Sequence, residues 1–248
     1  IDIEKVNMFD KAAVIVTGAS KGLGLAISQN LVNSGYYVVG IGRSNSEEFN
    51  NLISCTFYEF DLLNVDKIPK LVNDIASSLK SSNIALYGLV NNAGIGLDGL
   101  LATQHSSDIS QVLTLNLEAP ITLTKYAVRH MLANKVGRII NISSIIAQTG
   151  FSGLSVYGAT KAGLQGFTRS LSREVARAGI TVNCVAPGYM LTDMTKSLTG
   201  SKLESVKRRA PLGLPDTNHV AHSVNFLLSS KSDKTTGTII TVDGGSTA

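Results

Sequence analysis

A tyrosine stands four residues before a lysine in the stretch SVYGATKAG, residues 155–163. In a helix, positions i and i+4 share a face, so the phenol of Tyr157 and the ammonium of Lys161 become neighbours. A phenol ordinarily ionises near pH ~10, and adjacent positive charge lowers that value by favouring the phenolate. One reading is two solvated surface side chains. The other is a proton donor made acidic enough by a permanent cation to exchange protons near neutrality. Spacing alone does not separate them, but context favours the second. Ser144, a hydroxyl donor, lies thirteen residues before Tyr157, just past an apolar run that reads as a buried strand.

A second group of residues has the types needed to hold phosphate. VIVTGASKGLGLAI places glycines at 18, 22 and 24 between an apolar run and an amphipathic one. Glycine lets the chain turn sharply and lets a pyrophosphate reach backbone N–H groups at a helix N-terminus, where the macrodipole favours anions. Ser20, Lys21 and Leu23 lie in the same turn and are candidate contacts. The second apolar run ends in GIGRS, so Gly42 and Arg43 stand where an acid would otherwise accept from the ribose hydroxyls. Arg43 suits a 2′-phosphate, with Lys21 as a second charge. The cofactor expected is therefore NADPH/NADP+ rather than NADH.

The elements that must position these groups follow from periodicity. Near-continuous apolar, β-branched runs occur at 12–18, 36–42, 55–61, 85–94, 137–144, 180–188 and 237–245, as in strands buried on both faces. Helical patterns lie between them at 24–35, 65–80, 107–135, 156–179 and 216–230, with Pro69 in the first turn of its helix. The alternation predicts an α/β chain: one Rossmann domain over residues 1–248, a doubly wound, seven-stranded parallel sheet with helices on both faces. One interruption, about 188–215, is polar, carries Pro211 and Pro215 and a short helix at 201–209, and reads as a substrate-covering lobe.

At this point the residues resemble a known family. TGASKGLG, NNAG, Asn116 in LNL, Ser144 in NISS, YGATK and PGYMLT have the order and spacing of the classical short-chain dehydrogenase/reductase family, over nearly the whole chain. Within it, GRIINISS, the segment from YGATK to GYMLTDM and the ending TGTIITVDGG are most similar to the 3-oxoacyl-[acyl-carrier-protein] reductases of fatty-acid synthesis. The resemblance implies an NADP-dependent oxidoreductase acting on CH–OH groups, with Asn116, Ser144, Tyr157 and Lys161 catalytic. Tyr157 would protonate the developing alkoxide. Bringing a phenol from about 10 to about 7 needs roughly 4 kcal/mol of preferential phenolate stabilisation, from Lys161 and the oxidised nicotinamide. Lys161 would also hold the nicotinamide ribose, Ser144 would donate to the carbonyl oxygen, and Asn116 would hold a relay water.

The resemblance further places Asp61 and Leu62 at the adenine edge, Asn91, Ala93 and Gly94 along the cofactor channel, and Pro187, Gly188 and Thr192 at the carboxamide end. For Asn91 a packing role competes evenly. PLGLPDTNHVA departs from the R-x-G-x-P-E stretch of the related reductases and puts leucine near the arginine's place. That keeps open another ketone or secondary alcohol, such as a sugar, polyol or hydroxy acid, and a catalytically silent regulatory protein stands as a third reading. Arg129 and Arg173 offer a basic patch to an acidic carrier protein or are ordinary solvated arginines. The helices near 107–134 and 155–178 would pair copies into a homodimer or homotetramer.

Composition bounds these readings. The chain has 248 residues, 44% hydrophobic and 16% charged, a net charge of +4 and mean hydropathy +0.18. That is ample material for a large core, and scattered cations argue against a nucleic-acid partner. No apolar run reaches the ~18 residues of a membrane helix, and the acid-bearing IDIEKVNMFDK does not read as a signal peptide. A cytoplasmic protein is expected, with Cys55 and Cys184 as buried thiols. His219 and His222 lack companions for a metal, so none is expected. Asp98, His105 and Ser106 lack the turn of a hydrolase nucleophile. Leu164, Phe167 and Leu171 form a packing stripe, within the chain or between subunits.

Overall fold

The computed structural model describes residues 11–191 and 200–248. Seven strands alternate with helices: β1 (Lys11–Thr17), α1 (Gly22–Asn33), β2 (Tyr37–Gly42), α2 (Glu47–Asn50), β3 (Cys55–Glu59), α3 (Ile68–Ser81), β4 (Ile84–Asn91), α4 (Ser106–Leu113), α5 (Ala119–Asn134), β5 (Gly137–Ile142), α6 (Ile146–Thr149), α7 (Ser155–Val175), β6 (Ile180–Pro187), α8 (Gly200–Arg208), α9 (Thr217–Leu228) and β7 (Ile239–Val242). The strands form one sheet in the order β3-β2-β1-β4-β5-β6-β7, and every pairing is parallel. All seven expected strands are present. The short helices α2 and α6 were not foreseen, because four residues are too few to show a period.

Alternate residues of the central strands feed two cores. Val14, Val38, Tyr87, Ile140 and Val185 pack against Ile27 and Leu31 of α1 and Val220, Val224 and Leu227 of α9. Ile15, Val39, Leu89, Ile139 and Val182 pack against Leu71 and Ile75 of α3, Leu123 and Met131 of α5, and Leu171 of α7. Each fully buried aliphatic side chain contributes about 1.5–3 kcal/mol, so the sheet is a stiff platform. Leu164 and Leu171 are buried within the chain, with Phe167 against the same core, so the stripe is internal packing. Cys184 is buried as expected. Cys55 is only half-buried, because β3 is an edge strand; its thiol donates to the Leu52 carbonyl at 3.4 Å.

Local chemistry sets the helix ends. Pro69 lies in the first turn of α3, where its missing N–H costs nothing. α1 gives way to Gly35 at φ 87°. Asp216 and His219 close a capping box at the start of α9, which absorbs the histidine once weighed as a ligand. The expected helix over 107–135 is broken: between α4 and α5 lies a π turn, Thr114–Glu118, with Pro120 just beyond. Among the described residues no helix is long and apolar enough to cross a membrane.

Candidate active site

From β1 the chain winds one way to β2 and β3, and from β4 it winds the other. The carboxyl ends of β1 and β4 therefore open a crevice, the place where sheets of this kind hold ligands. Thr17 ties the two ends together: its hydroxyl accepts from the Asn92 and Ala93 N–H groups, both at 2.9 Å. That threonine was not singled out from the sequence. A hydroxyl closing an apolar strand (VIVTG) is the signal that marks it.

Next to Thr17 the glycine turn enters α1. A Cβ on Gly24 would lie 1.9 Å from the Gly18 carbonyl, so only glycine lets the helix start so close to the strand end. Gly18 donates to the Ile41 carbonyl at 2.7 Å, which locks the turn to the end of β2. No side chain caps α1, and its first turn holds no acid, so its N-terminus is left to an anion. Above Gly22 there is open space. Ser20, Lys21 and Leu23 lie at this helix entrance. Lys21 and Arg43 are exposed, and neither pairs with a carboxylate among the described residues. A dinucleotide fits this cradle on those grounds.

Farther out, Asp61 follows β3 and accepts from the Leu63 N–H at 3.0 Å, with Leu62 buried beside it. Asn91 behaves differently from the channel residue considered above. Its amide donates to the Thr124 hydroxyl at 2.9 Å and to the Asn141 carbonyl oxygen at 2.8 Å, and the side chain is 3% exposed. It knits β4, β5 and α5 together through Nδ2, which is a packing role, while its Oδ1 is buried without a partner. Thr192 lies outside the described residues.

At the other end of the crevice four side chains converge. Tyr157 lies in the first turn of α7, and Lys161 one turn later points back beneath it, with Nζ 5.6 Å from the ring centroid. Lys161 is 4% exposed and donates to the Ile142 carbonyl at 2.9 Å. Its own carbonyl accepts from Ser143 at 2.9 Å, and Gln165 donates to that serine at 3.1 Å, so strand β5 holds the helix turn in place. Ser143 is a positioning hydroxyl that the doublet NISS displayed without revealing its role. The hydroxyl of Ser144 stands close enough to the phenol to favour its ionised form. It also accepts from the Ile146 N–H at 3.2 Å, which fixes its direction.

Asn116 sits in the π turn, fully buried. Its side chain exchanges two 2.8 Å hydrogen bonds with the backbone of Ile95, and Nδ2 reaches Thr160 at 3.4 Å. The side chain is thus spent on holding the loop after β4. Its backbone carbonyl is different: Pro120, four residues on, has no N–H to give it. The proline thus removes the regular i+4 partner of that carbonyl, beside a π turn. Gly94 borders both groups, since a Cβ there would lie 3.1 Å from Asn116 Oδ1 and 3.4 Å from Lys161 Nζ.

The electrostatics correct one expectation. Burial pushes the Tyr157 phenol above its ordinary value, and the Ser144 hydroxyl only partly offsets this. Lys161 does not acidify it in the protein alone, because the ammonium faces the Ile142 carbonyl and the ring's flat side. Nor is Lys161 a permanent cation: burial lowers it to about 8, with the neighbouring Cys184 thiol acting in the opposite sense. The chain by itself therefore holds a neutral phenol and a titratable lysine. Pro187 and Gly188 end β6 next to Ser144, since Ile145 N–H donates to the Pro187 carbonyl at 3.0 Å. Among the described residues no three His, Cys, Asp or Glu side chains cluster.

Comparison with known proteins adds to this geometry. Residues 12–202 match the family model described as short chain dehydrogenase. The 3-oxoacyl-[acyl-carrier-protein] reductase FabG of Rickettsia conorii is 40% identical over 236 residues, covering 93% of this chain and 95% of the relative. The proteins of that name from Haemophilus influenzae and Salmonella typhimurium are 38% identical over 238 residues (93% and 96% covered) and 35% identical over 240 (96% and 98%).

Proposed function

The chain belongs to the short chain dehydrogenase family, and from that premise we propose that it reduces the 3-oxo group of an acyl thioester carried on acyl carrier protein, with NADPH as reductant, as a step of fatty-acid synthesis. The observation that carries this is the convergence of Tyr157, Lys161, Ser144 and the π turn of Asn116 at the crevice end. The relatives covering nearly the full chain are named for this reaction.

A bound nicotinamide supplies hydride to the carbonyl carbon. Ser144 donates to the carbonyl oxygen and holds it beside Tyr157, and the phenol gives its proton to the oxygen as negative charge develops there. Lys161 carries the compensating positive charge and binds the adjoining ribose hydroxyls. Tyr157, left as phenolate, recovers a proton relayed from Lys161, and the backbone carbonyl of Asn116 holds the water through which Lys161 recovers one from solvent. Gly18, Ser20, Lys21, Gly22, Leu23 and Gly24 hold the pyrophosphate. Arg43 with Lys21 reads the 2′-phosphate, Asp61 and Leu62 border the adenine, Ala93 and Gly94 line the channel, and Pro187 and Gly188 border the carboxamide.

The described stretch 200–215, part of the lobe expected at about 188–215, is assigned to covering the substrate. Exposed Arg129 and Arg173 are offered to the acidic carrier, and α4, α5 and α7 to a second copy of the chain. The test follows NADPH absorbance with acetoacetyl and longer 3-oxoacyl thioesters. Fast oxidation is the expected result. Turnover only with sugars or simple ketones, or none with any carbonyl, overturns the proposal.

A further inference from the structure

Asp243 is the only buried carboxylate among the described residues, 7% exposed, and no step above uses it. It directly follows β7. Its Oδ1 accepts from the Gly245 N–H at 2.9 Å, while Oδ2 accepts from the Thr247 N–H at 2.9 Å and the Thr247 hydroxyl at 2.7 Å. A carboxylate taken out of water is costly unless donors meet its oxygens. The turn from Asp243 to Thr247 therefore closes as one unit around it.

Two segments rest on that unit. One is the turn after β6: Gly188 donates to the Val242 carbonyl at 2.8 Å, and a Cβ at 188 would lie 2.7 Å from Asp243 Cα and Cβ. The same turn borders Ser144 through the Ile145–Pro187 hydrogen bond. The other is the segment that follows α8. Leu212 donates to the Gly244 carbonyl at 3.0 Å, and a Cβ on Gly244 would lie 2.0 Å from the Gly213 carbonyl. A Cβ on Gly245 would sit 3.0 Å from Pro211. One carboxylate thus braces, through a single turn, both the floor beside Ser144 and the segment after α8.

We infer that Asp243 is a positioning residue, which sets the spacing between the Pro211–Gly213 segment and the Pro187–Gly188 turn and so seats the nicotinamide end and the carbonyl substrate without touching either. The inference rests on the reading that Pro187 and Gly188 border the carboxamide. It predicts a loss confined to one half of the cofactor.

The experiment measures, on the whole purified chain, affinity for NADPH, affinity for adenosine 2′,5′-bisphosphate (the adenine half alone) and kcat/KM with acetoacetyl thioester. For Asp243→Ala, bisphosphate affinity should stay within about twofold, while NADPH affinity and kcat/KM fall roughly tenfold. Asp243→Asn keeps an accepting oxygen and should fall in between. Unchanged values in Asp243→Ala overturn the inference. So does equal loss of NADPH and bisphosphate affinity, which is general loosening. If Asp243→Ala does not fold, Thr247→Val must show the same ordering at about twofold, and wild-type values there also overturn it. Failure of the proposed reaction looks different: the wild type leaves NADPH unoxidised by the thioester, while the ratio of the two affinities still tests Asp243.

Discussion

The two ends of the crevice are built on opposite electrostatic plans. At the end proposed for phosphate, the charged groups, Lys21 and Arg43, are exposed, and the backbone N–H groups of an uncapped helix start are gathered by glycines. At the proton end, the charged group, Lys161, is buried and its direction is fixed by the Ile142 carbonyl. The first plan selects a ligand at modest structural cost and is screened by salt. The second is little screened and shifts the titration of its members, at the expense of desolvation. On the proposed reading, selection is placed where water is present, and proton transfer where it is scarce.

The comparison breaks most decisively at Tyr157. Tyr157→Phe should lower kcat by about 10³-fold or more, while fluorescence titration shows NADPH still bound. Retained turnover would remove the proton end from the account. Gly24→Ala tests the other end by sterics: the new methyl, 1.9 Å from the Gly18 carbonyl, should abolish saturable NADPH binding and lower the melting temperature. Arg43→Ala should raise the KM for NADPH about tenfold and leave that for NADH unchanged. The wild-type preference should shrink toward the variant's as ionic strength increases.

The smallest effect is in pH. Lys161 ionises at about 8 in the folded chain against an ordinary 10.5. NADPH affinity should therefore fall, roughly threefold, as pH rises through about 8 and the ammonium is lost. The stability contribution has the opposite sense. Between about 8 and 10.5 the unfolded chain binds the extra proton, so this group's penalty is relieved as pH rises through that window. An affinity flat to pH 10 would place the charge elsewhere.

Much of this was legible in the chain. The strands stood out because both faces are covered, so Val, Ile and Leu run without polar breaks in segments such as Ala12–Val16. Tyr157, Lys161 and Ser144 were legible because helical spacing and a strand end fix their meeting. What stayed hidden depends on three-dimensional neighbours. Nothing in NNAG shows that Asn91 spends its amide on Thr124 and Asn141, residues 33 and 50 positions away. The upward push on Tyr157 in the chain alone stayed hidden because desolvation is set by whatever covers the ring, and a sequence displays partners more readily than cover. The π turn left no periodic trace, although Pro120 was in plain view.

That irregular turn has a practical consequence. A protein engineer seeking a hardier catalyst would be tempted to replace Pro120 by alanine and let the long helix zip into regular register. On the proposed relay, the hardened helix would then give the oxygen at 116 a helical partner, and the price of the extra rigidity would be a proton wire cut at its solvent end.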